Sequence, residues 1–481
     1  MADKEAQIFA TEASPSDSSS AEAGLGDVTP HGDTQNDLAD MQRLGKKQDT
    51  IVASLAEMES MAPTSGGQYH WVSEFAPEKY QKICSYAAGW MSTLGWLASV
   101  SSSVFVLTTL VQAIIQVYNV TFEFPAWQYT LIMLAFLVIT IGFNTWGAKA
   151  LPMLETISLY GHLLGFLVTM IVVLVMAPKN SAKQVFTEVV NSSGWKNTGA
   201  SVLIAQVQVL YCNLGSDSAV HISEEVEDAS INIPRAMWWS YILNVVMGLA
   251  MLITILFCIG DLDAASNTGA PYLILFQNTG SNAVALVLLV ILLILLFAGN
   301  ITALATTSRE VWAFSRDKGF PYSSWISKMN HKRQVPDNSV YLTSVIAGLL
   351  CLINFASSFA FEVIVSLTLL ALLSTYMISV GCILHYRWQG KALPYARWSL
   401  GRWGILINAF AFLYSGFAIV FCCLPEGLPI KLGNANWAPA VWVGVIVAAV
   451  VVYWVHGKKK YTAPVCFVEG RRGEKGLQGV E

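Results

Sequence analysis

Beyond Thr50 the chain is a series of long apolar runs separated by short polar stretches. Each run is close to the roughly 20 residues that a helix needs to cross a bilayer. Full spans are predicted over 85–118, 125–146, 151–177, 200–223, 236–260, 282–308, 339–357, 361–385, 403–424 and 436–456, ten in all. The first run is longer than a bilayer requires and is expected to tilt or to extend past it. A shorter run, 51–62 (IVASLAEMESMA), carries Glu57 and Glu59. Its twelve residues would cover only about 18 Å of a roughly 30 Å hydrocarbon core, so it cannot span alone. The first 50 residues differ in kind, with ten acidic and four basic side chains, a serine run and almost no apolar periodicity. They read as a disordered acidic tail, and they lack the basic start and apolar core of a secretory signal.

Composition agrees with this pattern. Apolar residues form 54% of the 481-residue chain and Asp, Glu, Lys and Arg together only 12%, against roughly 25% charged in a soluble domain. The expected fold class is therefore all-α integral membrane. Orientation follows from the basic residues. If the N-terminal tail is cytosolic, 24 Lys and Arg fall on that side and four (Lys179, Lys183, Lys196 and Lys431) on the other, with none inside a predicted span. That bias places both termini in the cytosol. Sequons at Asn119 and Asn191 fall in predicted outer loops and mark candidate glycosylation sites. A net charge of −4 gives no reason to invoke nucleic acid. None of the eight cysteines forms a CxxC pair, so no disulfide framework or metal site is indicated. With no nucleophile–base pair or phosphate-binding glycine loop in a suitable context, neither an enzyme nor a cofactor is expected.

Polar groups are expensive at mid-bilayer, so those inside the spans are where function is sought. The richest segment is 200–225, ASVLIAQVQVLYCNLGSDSAVHISEE. Asn213, Gly215, Ser216 and Asp217 are poor helix formers clustered at mid-depth. They predict an unwound joint between two half-helices, whose bare amides and carbonyls would line a cavity. The second half, read as an α-helix, puts Asp217, His221, Glu224 and Glu225 on one face, as a proton relay or a cytosolic gate. The two glutamates could equally be solvated helix-end charges at the membrane border. Glu155 and His162 lie seven apart on the 151–177 span, where a packing hydrogen bond is the favoured reading. Asn300, Thr302, Thr306 and Thr307 are expected to bond helices together. Gly89, Gly95, Ser99 and Ser101 to Ser103 are expected to allow close helix approach.

The stretch GSDSAVHISEEVEDASINIPRAM (Gly215–Met237) resembles the signature of the amino acid/choline branch of the amino acid–polyamine–organocation superfamily. SMAPTSGGQYHWVSEFAP (Ser60–Pro77), NTWGAKALPMLE (Asn144–Glu155), TTSREVWAFSRDKGFPYSSWISK and VPDNSVYL extend the likeness over nearly all of Ile51 to His456. It is most similar to fungal permeases for GABA, choline and other amino acids or amines. The resemblance implies two inverted five-helix repeats plus two C-terminal helices, with substrate held at broken first and sixth helices. Cys212–Asp217 would be the sixth-helix break, and with Tyr211 these residues are the candidate substrate site: Tyr211, Cys212, Asn213, Gly215, Ser216 and Asp217. Asp217, His221, Glu224, Glu225, Arg235 and Arg309 are the candidates for proton coupling or gating, with Arg316 and Asp317 in the same basic loop. Only three full spans precede the break where the family has five, so the first helix and half of the second are expected to be missing.

The implied layout is a tail over 1–50, a residual half-helix and cytosolic loop over 51–84, a transmembrane transporter domain over 85–456 and a cytosolic tail over 457–481. The implied activity is secondary active import of an amino acid or small amine, coupled to H+. Choline or a related quaternary amine is the alternative substrate, for which Tyr211 and nearby Trp or Phe could form a cage. A truncated, non-transporting isoform or assembly partner is the alternative role. The plasma membrane is favoured over the vacuole.

Overall fold

A computed structural model of the chain describes residues 50–464, apart from 188, 190, 192, 267, 356–359, 426 and 431–434. The tail expected over 1–49 and the last residues from 465 lie outside the described residues. Within them the architecture is all-helical. The principal helices are α1 (Thr50–Met61), α2 (Gln68–Phe75), α3 (Glu78–Gln116), α4 (Ala126–Thr145), α5 (Leu151–Met176) and α6 (Thr198–Asn213). They continue as α7 (Ala229–Cys258), α8 (Asn282–Arg316), α9 (Asp337–Cys351), α10 (Ala360–Trp388), α11 (Gly404–Cys422) and α12 (Ala438–Val452). Among the described residues nine helices are long and apolar enough to cross a membrane. The remaining predicted span, 200–223, is interrupted: α6 ends at Asn213 and a 3-10 helix occupies Ser216–Glu225.

Helix ends follow the local chemistry. The Asn197 side chain caps α6 by accepting from the Gly199 and Ala200 amides, and Ser281 caps α8 through the Val284 amide. Pro77 and Pro125, which cannot continue a preceding helix, stand immediately before α3 and α4. At 39 residues α3 is about 58 Å long, well beyond a bilayer core.

α10 is buried continuously from Val363 to Tyr376, whereas α5, α7 and α12 present most of their surface outward. α3 and α11 lie beside α10, and α8 packs on α3. The outer helices expose Val138, Leu164, Val175, Val246, Ile294 and Val455, an apolar belt that water would not tolerate. The short run that cannot span is not peripheral: every residue of α1 from Val52 to Met61 is buried, against α7 and α11. Small residues set the inner spacing. A Cβ on Gly95 would lie 2.6 Å from Leu372 Cγ of α10, and one on Gly89 would lie 2.3 Å from Phe314 Cε2 of α8.

Of the polar residues expected to bond helices together, Asn300 and Thr307 do so, whereas Thr302 bonds the Ala298 carbonyl of its own helix at 3.4 Å. Asn300 of α8 accepts from Thr140 Oγ1 of α4 at 2.6 Å and donates to Ser103 Oγ of α3. Asn144 donates to the Ile301 carbonyl at 3.0 Å, and Thr307 to the Trp96 carbonyl at 3.3 Å. Glu155 and His162 do not make the expected bond between helices. His162 is exposed and bonds the Ser158 carbonyl one turn back in its own helix, at 2.7 Å.

Candidate functional site

Chain direction changes at the end of α6. Leu214 is extended and Gly215 takes φ +91°, ψ 7°, a left-handed conformation that glycine alone enters without penalty. The helix therefore stops, and the 3-10 helix restarts at Ser216 on a new axis. Beside the joint is a cavity of about 440 Å³, lined by Cys212, Asn213, Gly215, Ser216 and, from α7, Tyr241 and Asn244. Asn244 Nδ2 donates to the Cys212 carbonyl at 3.0 Å and to Asn213 Oδ1 at 3.2 Å. It thus satisfies the Cys212 carbonyl, which the break leaves without a helical partner. Cys212 is exposed.

The six residues expected to form one site divide between two places. Cys212, Asn213, Gly215 and Ser216 line the cavity; Tyr211 and Asp217 are absent from its lining. Tyr211 hydroxyl pairs with Ser102 Oγ of α3 at 2.5 Å. Asp217 is fully buried, accepting from Gln68 Nε2 at 2.5 Å and from Tyr376 hydroxyl of α10 at 2.7 Å.

The single acidic face is also corrected. A 3-10 helix has about three residues per turn rather than 3.6, so positions seven and eight apart no longer align. Asp217 turns to α2 and α10. His221 is fully buried with Nδ1 2.7 Å from Glu310 Oε2 and 3.0 Å from the Ser65 carbonyl. Glu224 takes a two-pronged bond from Arg316, at 2.8 and 2.9 Å, and a longer one from the Ser65 amide at 3.3 Å. Glu225 pairs with Arg309 Nε at 2.7 Å. The glutamates are therefore tied to α8, not merely solvated. Arg235 stands exposed on α7. Tyr69 donates to Asp317 at 2.8 Å in the turn that follows α8. Burial pushes the Asp317 carboxyl above its usual range despite the Arg316 charge and the Tyr69 bond, which oppose it. Burial, and next the Asp317 charge, pushes the Tyr69 phenol well above its own range.

Gln68, Tyr376 and Glu310 were not among the residues singled out in the sequence. Glu310 lay beyond the predicted end of the 282–308 span, but α8 continues to Arg316. Arg309 and Arg316 thereby stand on the span's last turns rather than in a loop. Asn119 and Asn191 are both exposed, and in the second sequon Ser193 Oγ donates to Asn191 Oδ1 at 2.7 Å.

An apolar helical bundle with one interrupted helix, a polar hollow at the interruption and buried acids behind it has the features of a multi-pass membrane transport protein. Comparison with known proteins makes the class specific. Residues 50–453 match the amino acid permease family, and the chain belongs to it. It is 31% identical to an uncharacterized amino-acid permease of Schizosaccharomyces pombe over 421 residues, covering 86% of this chain and 77% of that one. It is 30% identical to a choline transporter of Saccharomyces cerevisiae, over 86% of this chain and 74% of that one. A putative amino acid/polyamine transporter of Macrophomina phaseolina is 28% identical, over 81% and 87% respectively. Permeases move solutes and are not enzymes.

Proposed function

We propose that the chain imports an amino acid or small amine across the plasma membrane by proton symport. In this reading substrate binds in the hollow at the 213–216 joint, within an inverted-repeat arrangement of the spans. The interrupted helix is the observation that carries it. Its cavity of about 440 Å³ falls within the roughly 300–1,000 Å³ usual for small-molecule sites. A break in a spanning helix offers polar groups that suit a carboxylate or a cation. The lining offers amide and hydroxyl groups from Asn213, Ser216, Ser218, Ser240 and Asn244, and a single aromatic ring, Tyr241. That set suits the carboxylate and amine of an amino acid better than a quaternary ammonium, which calls for several aromatic faces.

The charge bias supports cytosolic termini, so the end bearing Arg309 and Arg316 faces the cytosol. The ion pairs Glu224–Arg316 and Glu225–Arg309 then close the inward side, and opening requires the 3-10 helix to part from α8. Asn119 and Asn191 face outward in this orientation and are available for glycosylation.

Uptake of labelled GABA, a mixture of the common amino acids and choline by cells expressing the chain tests the reading. The expected result is saturable accumulation of an amino acid that collapses when the pH gradient is discharged. Delivery of the chain to the membrane with no gradient-dependent uptake of any of these compounds contradicts it and favours a non-transporting assembly partner.

A further inference from the structure

The most unusual grouping outside the cavity lies between the 3-10 helix and α8. Glu310 and His221 are both fully buried, 2.7 Å apart from Oε2 to Nδ1. The same Nδ1 is 3.0 Å from the Ser65 carbonyl. A carbonyl oxygen only accepts, so Nδ1 carries the hydrogen and donates it to Ser65, with Glu310 Oε2 alongside. His221 Nε2 and both Glu310 carboxylate oxygens are buried with no hydrogen-bond partner among the described residues, so the Glu310 contact with His221 is an ion-pair approach. Trp96 of α3 packs edge-on against the imidazole, with ring centroids 5.5 Å apart, which keeps that side dry.

The surrounding charges show why this pair matters. Asp217 accepts from Gln68 and Tyr376, two neutral donors that suit its ionised form. Glu310 receives no hydrogen bond among the described residues, only the close approach of the imidazole. On the flanks Arg309 is paired with Glu225 and Arg316 with Glu224. Tyr69 of α2 donates to Asp317, and Glu59 of α1 is fully buried with neither carboxylate oxygen hydrogen-bonded among the described residues. Each arginine thus has its own glutamate. The dry centre holds two carboxyls, Asp217 and Glu310, and one imidazole. Even with His221 protonated that centre carries one negative charge in excess, a costly arrangement away from water. One further proton neutralises it.

We propose that Glu310, partnered by His221, is the site that carries the co-transported proton; the inference rests on the symport reading above. In the closed state the proton resides on the Glu310 carboxyl and the centre is neutral. The ion pairs of Glu224 and Glu225 join the same two elements as the His221–Glu310 contact. Parting the 3-10 helix from α8 therefore breaks all three together. Water then reaches Glu310, the carboxylate is stabilised by hydration, and the proton leaves to water on the basic side of the molecule.

The test uses the full chain reconstituted in liposomes with the membrane potential clamped at zero, and tritiated GABA, proline and choline as probes. Two modes are measured: accumulation driven by an external pH one unit lower, and exchange against unlabelled probe at equal pH. For one proton per substrate, a unit of pH sustains about a tenfold concentration ratio. Glu310→Gln is expected to lose that ratio and settle at equilibrium while exchange stays within a few-fold of wild type. Accumulation equal to wild type overturns the proposal. So does loss of exchange together with accumulation in a monodisperse, correctly inserted Glu310→Gln protein, because the pair is then structural. If Glu310→Gln does not insert, Glu310→Asp decides: a displaced pH midpoint of accumulation supports the proposal, and an unchanged one overturns it. Wild type that exchanges but does not accumulate overturns the symport premise alone, whereas wild type inert in both modes overturns the transport reading itself.

Discussion

Glu57 offers a quantitative test of how α1 is held inside the bundle. Its carboxylate is fully buried and accepts from Arg387 Nη2 of α10 at 2.5 Å, from the Leu400 amide at 2.8 Å and from Ser399 Oγ at 3.1 Å. One side chain thus joins α1, α10 and the segment that leads into α11. Glu57→Ala removes all three bonds and leaves the Arg387 guanidinium, with a side chain only 8% exposed, without its carboxylate. Removing one partner of a buried pair costs about 3–5 kcal/mol, most of it from the charge left behind. A chain of this size moves by about 2 °C or somewhat less per kcal/mol, so the apparent Tm in detergent should fall by roughly 5–10 °C. Heating followed by fluorescence-detected size exclusion measures this directly. Combining Glu57→Ala with Arg387→Met removes the stranded charge and should recover more than half of the loss, although the Ser399 and Leu400 bonds stay broken. A Glu57→Ala protein as stable as wild type, or a double variant as unstable as the sum of its parts, refutes the reasoning.

Three further outcomes follow from the same geometry. Asp217→Ala strands Gln68 and Tyr376, both donors to that carboxylate; uptake should be lost with membrane delivery intact, and normal uptake contradicts the assignment. Gly95→Val places atoms within the 2.6 Å gap to Leu372 Cγ, and such overpacking costs about 1–3 kcal/mol; an unchanged melting profile contradicts the close contact of α3 with α10. Asp317 has a raised carboxyl pKa in the folded state, so the native chain binds that proton more readily than the unfolded chain. This group's contribution to stability is therefore greatest below the ordinary carboxylate value and declines as pH rises through the window up to the raised value. Asp317→Asn should flatten that decline, and an identical pH dependence in the two proteins contradicts it.

Much of this architecture was legible because hydrophobic length reports directly on membrane spans. The run over 200–223 also announced its own interruption, since Asn213, Gly215, Ser216 and Asp217 compete with helical hydrogen bonds and Gly215 permits the left-handed turn. The pitch of the second half-helix was not legible. An α and a 3-10 helix draw on the same short polar sequence, and the choice is made by neighbours: α2 and α10 hold Asp217 between them, and α8 holds His221, Glu224 and Glu225. Those neighbours lie far along the chain. Gln68 and Tyr376 meet Asp217 across 149 and 159 positions, and local periodicity carries no signal of that. Glu310 was concealed differently. Arg309 beside it looked like the start of a basic loop, yet the helix continues to Arg316 because Glu224 and Glu225 supply the countercharges that keep its last turns inside the bundle.

The central claim is that solute passes through the hollow at the interrupted helix. Cys212 is exposed and lines that hollow, so a small charged thiol reagent reports on it directly. The account predicts that the reagent blocks uptake in the wild-type chain, that transported substrate protects against the block, and that Cys212→Ala is insensitive while still transporting. Inhibition that persists in Cys212→Ala, or labelling of Cys212 that saturating substrate does not slow, would contradict it.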